Sequence, residues 1–218
     1  MTANGNYRAV LWDFGGVFTT SPFEAFNRYE AERGLPQDFI RGINATNPDR
    51  NAWAKMERSE VTVEEFGELF RAEAAAAGHP VDGGEVLPLL SGDLRPEMVA
   101  ALRIVKQDHL TACLTNNMRT GQGPGMSRDA DKAARIAEVM TLFDQVVESS
   151  QVGIRKPEPR FYQIACEMLG IEPAQAVFLD DLGVNLKPAR GLGMVTIKVT
   201  SADQALAELE ELLGLDLR

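Results

Sequence analysis

Residues 8–16 of the chain read Arg-Ala-Val-Leu-Trp-Asp-Phe-Gly-Gly. The run from Arg8 to Trp12 is apolar after its first residue and too short for an ordinary helix, and an aspartate and two glycines follow it within four residues. This pattern indicates a buried strand that ends in a turn. The fold class then depends on what the rest of the chain places beside that strand.

Strand patterns alternate with helical patterns in the second half of the chain. The further strands are predicted at Leu110–Thr115, Gln145–Glu148, Ala176–Asp180 and Val195–Val199. One helix is predicted to carry Ala133, Ile136, Ala137 and Met140 on its inward face, and another, opened by Pro157, to carry Phe161, Ile164, Ala165 and Met168. This alternation implies right-handed crossovers, and therefore an α/β fold with a Rossmann-like parallel sheet covered by helices on both faces.

The stretch from Ser21 to about Leu90 is helical throughout and contains no strand pattern. Its clearest helix starts at Thr62, where Glu65 three residues later completes a capping box. The sequence therefore predicts an α/β core formed by residues 1–18 and 94–218, with a helical cap inserted over residues 19–93.

Composition excludes several classes of protein. The 218 residues are 44% hydrophobic, and 22 basic against 32 acidic residues give a net charge of -10, which opposes attraction to nucleic acid or an anionic membrane. No apolar run approaches the roughly 18 residues that a membrane span needs, and the first seven residues are too polar for a signal peptide. Cys113 and Cys166 lie in apolar stretches without a metal-binding spacing and are expected to be reduced. We therefore expect a cytoplasmic protein with no nucleic-acid or membrane partner. The protein is further expected to be a monomer or a homodimer.

Polar side chains stand where the predicted strands end. Asp13 follows the first strand, Thr115-Asn116-Asn117 closes the second, Lys156 lies in the loop after the third, and Asp180-Asp181 closes the fourth. In an open parallel sheet, ligands bind beyond the carboxyl ends of the strands. Buried charges need partners, and carboxylates with a lysine suit a phosphate group and a Mg²⁺ ion, because Mg²⁺ prefers oxygen ligands and bridges to phosphate.

In order and in placement, these four segments resemble the four motifs of the haloacid dehalogenase superfamily of hydrolases. The matching stretches are Asp13-Phe14-Gly15-Gly16-Val17, Leu114-Thr115-Asn116-Asn117, Lys156-Pro157-Glu158-Pro159-Arg160-Phe161-Tyr162 and Phe178-Leu179-Asp180-Asp181. The last two look closest to the subgroup that includes the N-terminal phosphatase-like domain of soluble epoxide hydrolases and a similar domain fused to some acyl-CoA dehydrogenases. The family's helical cap of the C1 type occupies the position of residues 19–93.

The resemblance implies a role for each matched residue. Asp13 would be the nucleophile, with Thr115 and Lys156 completing the catalytic set. The phosphate group would be bound by Gly15, Gly16, Thr115, Asn116 and Lys156. Magnesium would be held by Asp13, the carbonyl oxygen of Gly15, Asp180 and Asp181. The implied substrate is a small phosphorylated metabolite, hydrolysed through an aspartyl-phosphate.

Gly15 departs from the family pattern, because phosphatases of the family usually carry a second aspartate there as general acid and base. A positioned acid or base contributes about 10²–10⁴ in rate, which glycine cannot supply. Three readings stay open: a phosphatase whose acid is water or a cap residue, a protein that forms the aspartyl-phosphate but releases it slowly, and a phosphate-binding regulatory module. Dehalogenases of the family also lack the second aspartate, but they do not use a metal. Because Asp180 and Asp181 favour a metal site, dehalogenation is the less favoured activity.

Overall fold

A computed structural model describes residues 7–118 and 129–218 of the chain. The strands are β1 (Ala9–Trp12), β2 (Leu110–Thr115), β3 (Gln145–Glu148), β4 (Ala176–Asp180) and β5 (Val195–Lys198). The α-helices are α1 (Pro22–Arg33), α2 (Phe39–Ala45), α3 (Ala52–Glu57), α4 (Val63–Ala76), α5 (Gly83–Val86), α6 (Pro96–Val105), α7 (Ala130–Met140), α8 (Ser149–Val152), α9 (Pro159–Leu169), α10 (Gly183–Gly191) and α11 (Ala202–Leu213). Each of the five predicted strands is present, with its ends within one residue of the predicted positions.

The five strands form one parallel sheet in the order β3-β2-β1-β4-β5. Helices α6, α7 and α11 pack against one face of this sheet, and α9 and α10 pack against the other. Successive β1 side chains alternate between the two layers: Val10 and Trp12 belong to the first apolar cluster, whereas Ala9 and Leu11 belong to the second. The predicted Rossmann-like α/β fold with helices on both faces is confirmed.

The stretch between β1 and α6 contains α1 to α5 and one 3₁₀ turn, Leu87–Leu90. We call it the helical insertion. It has its own apolar cluster, in which Trp53, Phe66 and Phe70 pack ring against ring. The predicted capping box of Thr62 and Glu65 opens α4 with both of its hydrogen bonds present.

The chain leaves the sheet region and returns to it through two paired segments. The Thr20 amide donates to the Asp93 carbonyl oxygen, and the Arg95 amide donates to the Phe18 carbonyl oxygen, each at 2.8 Å. The predicted boundaries, between residues 18 and 19 and between residues 93 and 94, lie at this pair. The division into a core domain and a cap domain stays a prediction.

Helix α9 corrects two expectations. It begins at Pro159 rather than at Pro157, and Met168, expected to face inward, is 45% exposed. Its buried side chains instead include Tyr162 and Cys166, so the inward face is rotated around the helix axis. The reason is that the Tyr162 hydroxyl can be buried at little cost, because it donates a 2.7 Å hydrogen bond to the Asn185 carbonyl oxygen.

Helix α7 shows a similar difference in its inward face. Ala137, which the pattern predicts to face inward, is exposed, whereas Val139 is buried together with Ile136 and Met140. Burying valine removes more apolar area from water than burying alanine, so the helix turns its larger side chain towards the sheet.

Cys113 and Cys166 are free and buried, as predicted. Within residues 7–118 and 129–218, none of the helices combines the length and the apolar character that crossing a membrane requires. The cytoplasmic location and the oligomeric state stay predictions.

Candidate active site

The register of the sheet brings the first and fourth predicted motifs side by side. Trp12 at the end of β1 stands opposite Leu179 of β4, and the Asp13 amide donates to the Leu179 carbonyl oxygen at 2.8 Å. Asp13 therefore lies next to Asp180. The strand order changes direction between these two strands, which is where an open α/β sheet forms its ligand crevice.

Lys156 forms ion pairs with both aspartates of this crevice, Asp13 and Asp180. Its Nζ lies 2.8 Å from Asp13 Oδ1 and 2.8 Å from Asp180 Oδ2, and its side chain is only 1% exposed. Burial alone would lower the pKa of the ammonium, but Asp13 and Asp180 outweigh it and raise the pKa above its usual value. Lys156 is therefore a fixed positive charge in the site.

Asp180 is fully buried, and both of its carboxylate oxygens are engaged. Oδ1 accepts from the Leu182 amide at 2.8 Å and from Asn185 Nδ2 at 3.1 Å. Oδ2 accepts from Lys156 Nζ and from the same Asn185 nitrogen at 3.0 Å. Asn185 thus fixes the orientation of Asp180, and the sequence did not single it out as a site residue.

Asp13, Asp180 and Asp181 form a cluster of three carboxylates, with one oxygen of each lying within 4.8 Å of the others. Burial raises the pKa of the Asp13 carboxyl well above its usual value, with Lys156 opposing the shift and the neighbouring carboxylates adding to it. Burial and the charge of Asp180 raise the pKa of Asp181 to about 6. One lysine does not balance three carboxylates, so the donor set is one that a hard divalent cation fits.

The two glycines after Asp13 occupy different environments. Gly16 has a φ of 74°, and a Cβ atom there would lie 2.2 Å from Asp181 Oδ2, so a side chain at this position would displace the carboxylate. Gly15 is exposed and lines the cavity described below, and a Cβ atom there would meet nothing within 4 Å. The missing second aspartate is therefore not a consequence of a lack of space.

Thr115 and Asn116 of the second motif both line the cavity described below, whereas Asn117 does not. Thr115 is 5% exposed and faces the cavity. The Asn116 side chain accepts from the Lys156 amide at 2.9 Å and donates to the Lys156 carbonyl oxygen at 3.0 Å. Asn117 is hydrogen-bonded to Ser149 and Ser150 beyond β3. The Asn116 side chain is thus used to hold Lys156, and phosphate binding by Asn116 stays a prediction.

A cavity of about 570 Å³ opens above these residues, between the strand ends and the helical insertion. Its floor includes Asp13, Gly15, Thr115, Lys156 and Asp181. Its apolar walls include Phe23, Phe26, Trp53, Leu90 and Met118. The structure thus brings all but two of the predicted site residues to one cavity: Gly16 and Asp180 lie behind its lining, Asp180 in direct contact with Lys156.

Glu57 is a second site residue, after Asn185, that sequence reasoning missed. It is the last residue of α3, it lines the same cavity, and it forms an ion pair with Arg155. Burial raises the pKa of Glu57, and Arg155 opposes that shift. Nothing in the local sequence around residue 57 indicates that its carboxylate reaches a loop on the other side of the cavity.

Comparison with known proteins finds relatives that cover most of the chain. The chain is 36% identical over 220 residues to acyl-CoA dehydrogenase family member 10 of Mus musculus, and 33% identical over 219 residues to bifunctional epoxide hydrolase 2 of the same species. These alignments cover 97% and 95% of the chain but only 20% and 39% of the two relatives, so the chain spans a minor part of their length. A sesquiterpene phosphatase of Aspergillus oryzae is 25% identical, with 95% of this chain and 97% of that protein covered.

A solved structure with the same fold is a family enzyme from Bacteroides thetaiotaomicron in complex with magnesium and inorganic phosphate. It superposes with a TM-score of 0.61 and 19% identity, covering 93% of this chain and 98% of that one. At this identity the likeness concerns the fold alone. Residues 7–193 match the model of the haloacid dehalogenase-like hydrolases, and since this match covers most of the chain, the protein belongs to that family.

Proposed function

We propose that the protein is a Mg²⁺-dependent phosphatase that hydrolyses small phosphate monoesters through an aspartyl-phosphate on Asp13. The observation that carries the proposal is the position of Lys156 between Asp13 and Asp180 at the carboxyl ends of β1 and β4, with Lys156 Nζ 2.8 Å from both carboxylates. A nucleophilic carboxylate next to a fixed positive charge suits attack on a phosphoryl group.

The carboxylate cluster fits a magnesium ion. Asp13 and Asp181 line the cavity, as does Gly15, whose backbone carbonyl group can also serve as a ligand. Asp180 already accepts four hydrogen bonds, which favours orientation of the other groups over direct ligation. Bound Mg²⁺ would screen the repulsion between carboxylates and phosphate and stabilise charge on the equatorial phosphate oxygens.

The residues of the chain divide the reaction into two steps. A carboxylate oxygen of Asp13 forms a bond to phosphorus while the bond from phosphorus to the leaving oxygen breaks. Thr115 donates a hydrogen bond to the phosphoryl group, and Lys156 balances part of its charge. Water then attacks the aspartyl-phosphate, which returns Asp13 as a carboxylate and releases inorganic phosphate.

Gly15 and the cavity walls together restrict the leaving group. The leaving oxygen must be protonated or leave as a weak base, and glycine at position 15 provides no proton. Five large apolar side chains line the part of the cavity towards the insertion. We therefore infer a phosphate ester or acyl phosphate with a good leaving group and an apolar portion. The apolar portion is in keeping with the relative named as a sesquiterpene phosphatase.

A second candidate is a phosphate-binding regulatory module, which the glycine at position 15 favours. The paired Lys156 and the clustered carboxylates favour turnover, since a site that only binds phosphate has no need for a buried nucleophile. Haloacid dehalogenation is the weaker candidate, because a haloacid carboxylate would approach Asp13 and Asp181 at close range and be repelled.

The test is release of inorganic phosphate by the purified protein from p-nitrophenyl phosphate, acetyl phosphate, a long-chain alkyl phosphate and sugar phosphates, with Mg²⁺ or with EDTA. Asp13→Asn is the decisive variant. The matched control is Asp108→Asn, because Asp108 lies just before the amino end of β2, away from the strand ends that form the site. Turnover that requires both Mg²⁺ and Asp13 supports the proposal. Binding of phosphate with no turnover on any substrate would support the binding module instead.

A further inference from the structure

Glu57 connects the helical insertion to the strand-end site by direct contacts. Its carboxylate pairs with the Arg155 guanidinium and accepts a 3.3 Å hydrogen bond from Asn116 Nδ2. The side chains of Glu57 and Arg155 are each only 14% exposed. Arg155 also donates to the Pro48 carbonyl oxygen at 2.8 Å, so both partners reach across the boundary between the insertion and the sheet region.

Asn116 contacts both Glu57 and Lys156. Its side-chain amide hydrogen-bonds both the amide and the carbonyl group of Lys156, at 2.9 and 3.0 Å. Lys156 in turn holds Asp13 through its ammonium group. Glu57, Asn116, Lys156 and Asp13 therefore form an unbroken series of contacts from the insertion to the nucleophile.

A neighbouring ion pair joins the insertion to the sheet region without contacting Asn116, although its Glu158 Oε1 also accepts from the Arg155 amide at 3.3 Å. Arg58, the next residue along the chain, pairs with Glu158 at 3.0 Å across the same boundary, and Ser59 Oγ donates to the Ser150 carbonyl oxygen at 3.1 Å. Neither contact involves Asn116. Docking the insertion is thus already served by Arg58 and Ser59.

Burying Glu57 has a cost that docking does not explain. Removing an ion pair from water is costly for each ion, and the attraction between the partners often only balances that cost. The pKa of Glu57 is raised by burial in spite of Arg155, which agrees with a carboxylate held in an unfavourable environment. A buried charge at this position is consistent with a role in the site itself.

We propose that Glu57 is a positioning residue, which couples the seating of the helical insertion on the sheet region to the placement of Lys156 beside Asp13. With the insertion seated, Glu57 holds the Asn116 amide in the orientation that fixes the backbone of Lys156. With the insertion displaced, Asn116 loses that acceptor and Lys156 loses part of its support. The inference rests on the proposed phosphatase function and adds a link between cavity closure and the catalytic geometry.

The test compares Glu57→Ala and Glu57→Gln with Arg58→Ala as the matched control. Misplacing a catalytic group by about 1 Å costs up to about 100-fold in rate. We therefore expect Glu57→Ala to lower kcat by about 10-fold to 100-fold, with KM changed by less than about threefold. Glu57→Gln retains an acceptor for Asn116 and should lie between Glu57→Ala and the parent protein, whereas Arg58→Ala should stay close to the parent.

Hydrogen exchange at the Lys156 amide, measured by NMR, provides a second readout that does not depend on turnover. The amide donates to Asn116 Oδ1, so it should exchange faster in Glu57→Ala and at the parental rate in Arg58→Ala. If the parent protein hydrolyses no phosphate ester, the proposed function fails, while the exchange comparison still decides whether the contacts are coupled.

Two outcomes would overturn the inference. Equal effects of Glu57→Ala and Arg58→Ala on kcat and on exchange would make Glu57 an ordinary docking residue. A Glu57→Gln variant as impaired as Glu57→Ala, with the loss confined to substrates with poor leaving groups, would make Glu57 a proton donor rather than a positioning residue.

Discussion

The ammonium nitrogen of Lys156 lies 2.8 Å from a carboxylate oxygen of Asp13, at a depth where the lysine side chain is 1% exposed and the aspartate side chain 11%. The same nitrogen lies 2.8 Å from Asp180. Because these carboxylates raise the pKa of Lys156 further above neutrality, its contribution to the site is a constant charge and not a proton that moves.

We predict that Lys156→Met, which keeps most of the side-chain volume, lowers the free energy of unfolding by about 3–5 kcal/mol, because it leaves two buried carboxylates unpaired. Urea unfolding measures this loss. Arg103→Met is the control: Arg103 pairs with Glu138, the two side chains are 54% and 70% exposed, and such exposed pairs contribute about 0–1 kcal/mol. A similar loss in both variants would mean that the Lys156 pair is no more important than a surface contact.

The strands and the motif residues at their ends could be predicted from the sequence because both depend on local patterns. A short apolar run followed by Asp13 or by Asp180 is visible in a single stretch, and parallel pairing then brings the ends together. The contact of Glu57 with Arg155 could not be predicted, because it depends on how α3 packs against the sheet region across the cavity. The inward face of α9 was missed for a related reason: only the packed structure supplies the acceptor that lets Tyr162 be buried.

Gly16 is predicted to be intolerant of any side chain. Its φ is 74°, and an added Cβ atom would lie 2.2 Å from an Asp181 carboxylate oxygen. Gly16→Ala should therefore displace Asp181 and weaken Mg²⁺ binding at least tenfold, measured by isothermal titration calorimetry. Gly153→Ala is the control for the backbone effect, since Gly153 has a φ of 71° but nothing within 4 Å of its Cβ position. Equal Mg²⁺ affinity in the two variants would exclude the steric explanation.

The raised pKa of Asp181, about 6, predicts a pH-dependent stability without metal. The pKa of an unfolded aspartate is about 3.9, so between about pH 4 and 6 the folded chain binds more protons than the unfolded chain. The contribution of Asp181 to stability therefore falls as pH rises through this window. Relative to the parent protein in EDTA, Asp181→Asn should become progressively more stable from pH 4 to pH 7.

Magnesium should reverse that difference. A cation binds the ionised carboxylates and stabilises the folded state by mass action, so Mg²⁺ at pH 7 should raise the unfolding temperature of the parent protein much more than that of Asp181→Asn. At pH 5 the effect on the parent should shrink, because protons then compete with the metal for Asp181. An equal Mg²⁺ effect in both proteins would show that the metal is bound elsewhere.

Gly15→Asp tests whether the position after Phe14 limits the reaction. Its Cβ position meets nothing within 4 Å and its φ lies outside the left-handed region, so an aspartate can be accommodated on the cavity side of the turn. A general acid there would assist poor leaving groups by as much as about 10²–10⁴ and good leaving groups far less. We therefore expect Gly15→Asp to raise kcat on a long-chain alkyl phosphate and to leave hydrolysis of acetyl phosphate nearly unchanged. Gly15→Asn has the same size as Gly15→Asp but cannot transfer the proton, so it separates acid catalysis from a steric effect. Equal gains in kcat for both variants would mean that the proton is supplied by another group. A gain on acetyl phosphate as large as that on the alkyl ester would mean the same.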